Sequence, residues 1–173
     1  MGVKKMWNSS WQESLTRILP ALIRKPTNSV TLIGIGNSLR GDDAAGLVAI
    51  HQLQQADLPD NLYRIDSGAV PENCTGVLRK IKPALVIFID AADMGLEPGD
   101  VALFDSDQLE HVSGITHSIP FGILAQYIKT EIGCEVWVLG IQPAQNEVLA
   151  VLSDVIQGSV DQIVDYFEGL ERP

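Results

Sequence analysis

The sequence predicts an α/β protein with three layers, in which helices cover both faces of a twisted, mostly parallel (mixed) five-stranded sheet. Two observations predict this fold. Short apolar runs alternate with helical patterns along most of the chain, and the most hydrophobic run, ALVIFIDAAD at residues 84–93, is typical of a strand covered on both faces. The 173 residues, of which 46% are apolar and 20% charged, are enough for one globular core.

Residues 1–28 are predicted to form an N-terminal amphipathic helix that precedes the main domain of residues 29–173. Ser10 and Glu13 match the pattern of a capping box, and apolar residues follow at helical spacing: Trp11, Leu15, Ile18, Leu19 and Leu22. Pro20 is expected to kink or end this helix. The segment lacks the apolar stretch and small-residue cleavage site of a signal peptide, so we interpret it as a helix that packs on the domain.

The remaining elements follow in order after the linker KPTNS. Strands are predicted at residues 30–36, 62–68, 84–93, 100–107 and 135–143. Helices are predicted from Asp42 or Asp43 to Gln55, and at residues 71–82, 120–133 and 152–170, with Gly133 ending the third of these four. The connection before residues 100–107 is too short for a crossover helix, so we expect that strand to be antiparallel and the sheet to be mixed.

Composition excludes several classes of partner and site. A formal net charge of −10 at pH 7 repels nucleic acid and anionic membrane surfaces, both of which require a basic footprint. The two cysteines, Cys74 and Cys134, form no CxxC pair, which excludes a zinc ribbon and a redox motif. Isolated thiols fit a reducing compartment, and no run approaches the ~18 apolar residues of a membrane span. We therefore expect a cytoplasmic protein with no nucleic-acid or membrane partner.

The stretch GIGNSLRGDDAAG, residues 34–46, first suggests a nucleotide-binding loop. A dinucleotide-binding loop needs a third glycine where Leu39 stands, and a phosphate-binding loop needs Lys-Ser or Lys-Thr after Gly41. Asp42 and Asp43 would also repel a pyrophosphate at the start of the helix. We therefore reject phosphate binding at this turn.

Polar side chains that follow the predicted strands are expected to meet at one edge of the sheet, where α/β proteins bind ligands. These residues are Asn37, Asp42, Asp43, Asp66, Ser67, Asp90, Asp93 and, in the loop THSIP, His117. Carboxylates and imidazole are ligands for divalent cations, and imidazole suits nickel and zinc. Asp43, Asp90 and His117 would form a site of two carboxylates and one histidine with room for water or substrate.

The residues alone leave several interpretations open. They do not distinguish Asp42 from Asp43, or Asp90 from Asp93. Each aspartate has an ordinary structural explanation, as a helix cap at residues 42 and 43 or as a residue that solvates a turn at the end of a strand. Two histidines are interpreted as structural: His51 and His111.

Five segments together resemble the nickel–iron hydrogenase maturation endopeptidases, most closely the hydrogenase 3 type. The segments are GIGNSLRGDDAAG, IDSGAVPEN, VIFIDAADMGLEPG, THSIP and VLGIQP, which occur in the family's order and spacing across roughly residues 30–170. Members of this family cut a short C-terminal extension from the precursor of the hydrogenase large subunit once nickel has been inserted. The resemblance implies that Asp43, Asp90 and His117 are both the catalytic residues and the nickel-sensing site.

The resemblance also implies that the enzyme has no permanently bound cofactor and recognises nickel supplied by its substrate. The expected partner is the nickel-loaded large-subunit precursor, and we expect a monomer because this client approaches as a large folded body. Either the metal or one carboxylate would activate water. The absence of HExxH agrees with a borrowed metal. The alternative function is a nickel-dependent chaperone or scaffold that binds the precursor without cutting it.

Overall fold

The structure, a computed structural model, describes residues 10–106 and 121–171. Its strands in chain order are β1 (Val30–Gly34), β2 (Leu62–Asp66), β3 (Leu85–Ala91), β4 (Val101–Asp105) and β5 (Glu135–Ile141). Its α-helices are α1 (Trp11–Ile23), α2 (Ala45–Gln55), α3 (Thr75–Ile81), α4 (Phe121–Tyr127) and α5 (Asp154–Glu168). Each predicted strand and helix is present, and most ends differ from the predicted ends by a few residues. The helix predicted over residues 1–28 is present at Trp11–Ile23, and residues 1–9 of that prediction lie outside the described residues.

The strands form one mixed sheet in the order β2-β1-β3-β5-β4. β1 pairs in parallel with both β2 and β3, and β3 pairs in parallel with β5. Only β4 runs antiparallel, and it pairs with β5 at the edge of the sheet. The prediction of a mostly parallel, mixed, five-stranded sheet is therefore confirmed.

Side chains of the central strand β3 alternate between two cores on opposite faces of the sheet. Ile87 and Ile89 join the core that also contains residues of α1, α2 and α5. Val86 and Phe88 join the core that contains residues of α3 and α4. All seven residues of β3 are buried, as expected for a strand covered by helices on both faces. The three-layer architecture is thus confirmed.

Helix α1 begins with the predicted capping box. The backbone N–H of Glu13 donates to Ser10 Oγ (3.1 Å), and the backbone N–H of Ser10 donates to the Glu13 carboxylate (3.3 Å). The helix continues through Pro20 to Ile23, so it does not end at the proline. Leu19 and Ile23, on either side of Pro20, are buried in the core, and their burial offsets the hydrogen bond that proline cannot donate.

Three of the predicted helices consist of two types of helical turn, and in the first of them a 3₁₀ turn at Gly41–Ala44 leads into α2. A 3₁₀ turn at Pro71–Cys74 leads into α3, and a π-helical turn at Ile128–Ile132 extends α4. Gly133 ends the latter with φ of 77°, as predicted. None of the described helices is long and apolar enough to cross a lipid bilayer.

Both cysteines are buried in the core between the sheet and helices α3 and α4. Burial raises the pKa of each thiol, Cys74 and Cys134, to about 11. Neither thiol forms a disulfide, and Cys134 packs as a small buried apolar residue.

Replacing Leu19 by alanine should lower the free energy of unfolding by about 2–5 kcal/mol, because the side chain is fully buried between α1 and the rest of the core. Urea unfolding followed by circular dichroism measures this loss. Arg17→Ala, an exposed change on the same helix, is the control and should alter stability by less than about 0.5 kcal/mol. Equally small losses in both variants would contradict a contribution of Leu19 to the core.

Candidate active site

Two glycines allow the turn after β1 to fold back onto the end of β3. A Cβ at Gly46, in the first turn of α2, would overlap the backbone oxygen of Ile89 in β3. At Gly36, φ is 153° and a Cβ would overlap the backbone oxygen of Asp43. Only glycine permits backbone approaches this close, so these positions fix the path of the turn that carries the acidic pair.

Asp43 and Asp90 lie at the same edge of the sheet, the one formed by the carboxyl ends of the parallel strands. Asp43 belongs to a 3₁₀ turn, Gly41–Ala44, that contacts β3, and its side chain is half-buried. The backbone N–H of Asp43 donates to the Arg40 carbonyl (3.0 Å), which helps to hold the turn. Asp90 is fully buried at the carboxyl end of β3, opposite Gly140 of β5. The expectation that sequence-distant acids meet at this edge therefore holds for these two residues.

Asp42 differs sharply from its neighbour Asp43, because it is fully buried and accepts four hydrogen bonds. One carboxylate oxygen accepts from the backbone N–H groups of Ala144 and Gln145 (both 2.9 Å). The other accepts from the backbone N–H and the hydroxyl of Ser153 (both 2.8 Å). None of these donors belongs to the helix that follows Asp42, so the interpretation of Asp42 as a helix cap is wrong. Its partners stand 102 to 111 positions later in the chain, where no local pattern reveals them.

Two opposing effects act on the Asp42 carboxyl group. Burial by itself raises its pKa, whereas the hydrogen bonds from Ser153, Gln145 and Ala144 stabilise the ionised form. The hydrogen bonds prevail, and the pKa lies below the ordinary value of 3.8. Asp42 is therefore a charged anchor that joins the turn after β1 to the segment after β5, and its oxygens are already occupied by donors.

Asp93 is exposed and stabilises the loop after β3. Its Oδ1 accepts from the backbone N–H of Gly95 (3.2 Å) and from Nε2 of Gln142 (3.3 Å). Gln142 Oε1 in turn accepts from the backbone N–H groups of Met94 (2.7 Å) and Leu96 (3.2 Å). Asp93 thus has the turn-forming role that was one of its two interpretations, and Gln142 is a supporting residue that the sequence did not single out.

The carboxylate of Asp66, after β2, contacts His51 of α2. Nε2 of His51 lies 2.6 Å from Oδ2 of Asp66, and Oδ1 of Asp66 accepts from the backbone N–H of Gly68 (2.7 Å). Nearby, the hydroxyl of Ser67 donates to the carbonyl of Gly34 (2.8 Å). The contact with Asp66 ties α2 to the end of β2, in agreement with a structural role for His51.

His117, the third predicted site residue, lies outside the described residues, as does His111. Within residues 10–106 and 121–171, no group of three or more His, Cys, Asp or Glu side chains is close enough to hold a metal ion. The set of Asp43, Asp90 and His117 stays a prediction. The structure places its two acids, Asp43 and Asp90, at one edge of the sheet.

Comparison with known proteins gives consistent matches in sequence and in fold. The hydrogenase maturation protease family, HycI, matches residues 48–169. The chain is 35% identical over 141 residues to the hydrogenase 3 maturation protease of Escherichia coli K12, covering 81% of this chain and 89% of that protein.

Two solved structures are similar to this fold. The crystal structure of the nickel–iron hydrogenase maturation protease HycI from Thermococcus kodakarensis is 27% identical, with a TM-score of 0.78, and covers 88% of this chain and 97% of that one. The solution structure of the endopeptidase HycI from Escherichia coli is 32% identical, with a TM-score of 0.73, and covers 82% of this chain and 90% of that one. The twisted mixed sheet that the sequence predicted is therefore the fold of these proteins.

Replacing Asp42 by asparagine should destabilise the protein by about 2–3 kcal/mol at pH 7, because an amide group would face donors that now bind a buried carboxylate. The folded-state pKa of Asp42 is lowered, so this stabilisation is present above about pH 3.8 and is lost as the pH falls through the folded-state value. In urea unfolding at pH 7, 5 and 3, the difference in the free energy of unfolding between the two proteins should be smallest at pH 3. Asp60→Asn, at an exposed position, is the control. A constant difference between wild type and Asp42→Asn at every pH would contradict this account.

Proposed function

Since the chain belongs to the hydrogenase maturation protease family and is a peptide hydrolase, we propose that it removes the C-terminal extension of a nickel–iron hydrogenase large-subunit precursor after nickel insertion. One observation in this protein, together with its family, supports the proposal: Asp43 and Asp90 lie at the same edge of the sheet. The nickel ion belongs to the substrate, and the protease recognises it there.

Two carboxylates at one edge suit a divalent cation, because they supply negative charge and oxygen ligands. Asp43 stands on a turn fixed by glycines and by the buried Asp42, and Asp90 stands on the central strand, so both are held on rigid elements. His117 would supply the nitrogen ligand that completes the set. The carboxylates and imidazole then bind the precursor's nickel directly or through its bound water.

Binding the nickel at this edge places the scissile peptide beside it. Water, activated by the metal or by a carboxylate acting as base, adds to the scissile carbonyl carbon. The C–N bond breaks, and the leaving nitrogen takes up a proton. Nickel thereby limits cleavage to precursors that have already received their metal.

The proposal includes the state of the enzyme between reactions. The enzyme is a cytoplasmic monomer that holds no cofactor of its own. The net charge of −10 supports a protein that binds neither nucleic acid nor anionic membranes. A monomer leaves the edge that carries Asp43 and Asp90 open to a large folded client.

Incubation with the precursor should produce the shorter large subunit only when the precursor carries nickel. Gel electrophoresis and mass spectrometry of the released extension measure the cleavage, with nickel-free precursor as the matched control. A stable uncut complex with the nickel-loaded form would instead support the non-cleaving chaperone. Equal cleavage of both forms would remove nickel from the mechanism.

Asp43→Asn, Asp90→Asn and His117→Ala should each lower the cleavage rate by about 10²-fold or more, because each removes a ligand or a proton acceptor at the reacting centre. Asp93→Asn is the matched control, since Asp93 is an acid of the loop after β3 that binds Gly95 and Gln142. It should retain cleavage to within a few-fold. Circular dichroism and urea unfolding establish that each variant is folded, and wild-type rates in all three folded variants would exclude the proposed site.

A further inference from the structure

An exposed apolar surface lies beside the turn that carries Asp43. It consists of Leu39, Val148, Leu149 and Val151, whose side chains are 60%, 67%, 79% and 83% exposed, and we call it the apolar loop surface. Three of the four, all on the loop after β5, are the most exposed large apolar side chains among the residues that the structure describes. Contiguous exposed apolar side chains on a folded protein mark interaction sites.

Backbone hydrogen bonds join this surface to the candidate site. The N–H of Leu149 donates to the carbonyl of Leu39 (2.7 Å), which brings the loop after β5 against the turn after β1. The N–H of Leu39 donates to the side chain of Asn37 (3.0 Å), and the N–H of Asn37 donates to the carbonyl of Asp43 (3.2 Å). A continuous series of hydrogen bonds therefore connects the apolar loop surface to the turn that carries Asp43.

The loop is held in a defined conformation although its apolar side chains point into solvent. Gln145 donates from Nε2 to the carbonyl of Val151 (3.0 Å), and its Oε1 accepts from the N–H of Glu147 (2.9 Å). Leu149 has φ of 63°, a left-handed conformation that is unfavourable for leucine, yet its side chain stays exposed. A surface fixed in advance loses little conformational entropy when a partner covers it.

We propose that the apolar loop surface docks the hydrogenase large-subunit precursor by covering an apolar segment of that client next to its cleavage site. This inference rests on the proposed function. Continuity with the turn of Asp43 favours the client over a second copy of this chain, because this surface lies beside the residue to which the precursor would be presented. The four side chains carry no charge, so the complementary segment of the client is apolar as well.

The test is a triple variant, Val148→Ser, Leu149→Asn and Val151→Ser, in steady-state cleavage of nickel-loaded precursor. Asparagine tolerates the left-handed backbone at position 149, so the loop conformation is kept. The KM should rise about tenfold or more while kcat stays within about twofold, because docking contributes equally before and during the reaction. Val77→Ser, an exposed apolar residue on α3, is the matched control and should leave both constants unchanged.

Binding of the precursor to a variant that cannot cleave it tests this inference separately from the proposed function. In Asp90→Asn, the Kd for nickel-loaded precursor should rise about tenfold when the triple change is added, whether or not the wild type cleaves. An unchanged Kd overturns the docking surface, and absence of wild-type cleavage overturns only the proposed function. Loss of a wild-type dimer in sedimentation with an unchanged Kd would assign the surface to self-association and also overturn the inference. Val151→Ser alone, which changes no hydrogen-bonding side chain, should show part of the effect if the triple variant does not fold.

Discussion

The arrangement of the site depends on the buried carboxylate of Asp42. This one side chain binds two separate parts of the segment after β5, at residues 144–145 and at Ser153, while its own backbone belongs to the turn after β1. A buried charge is stable only when donors surround it, and here four donors do so. The position of the adjacent Asp43 is therefore set by a contact between the two ends of the domain's sequence.

Gln142 acts in the same way on the other acidic loop. Gln142 follows the end of β5 and accepts hydrogen bonds from the N–H groups of Met94 and Leu96 in the loop after β3, four and six residues beyond the buried Asp90. The segment after β5 thus holds both acid-bearing regions in place, one through Asp42 and one through Gln142. This explains why the motif VLGIQP accompanies the acidic motifs although its glutamine carries no chemistry itself.

Local patterns predicted the strands, the helices and the mixed sheet, because alternating burial and capping are properties of neighbouring residues. They identified the capping box of Ser10 and Glu13 and a strand at residues 84–93, which the structure has at Leu85–Ala91, without knowledge of any contact. They failed for Asp42, because its partners are more than one hundred positions away, and a buried anchor has the same sequence signature as a helix cap. The choice of Asp43 over Asp42, and of Asp90 over Asp93, came from the family resemblance. Burial and hydrogen bonding now give Asp42 and Asp93 roles of their own.

The burial of both thiols affects whether this protein can take a metal ion from another protein. A sulfur atom that stays protonated at neutral pH is a poor ligand for soft or borderline metals and reacts slowly with oxidants. With the pKa of Cys74 and of Cys134 at about 11, neither sulfur competes for an ion that another protein has acquired. In the function that we propose, both thiols therefore leave the nickel bound to the precursor.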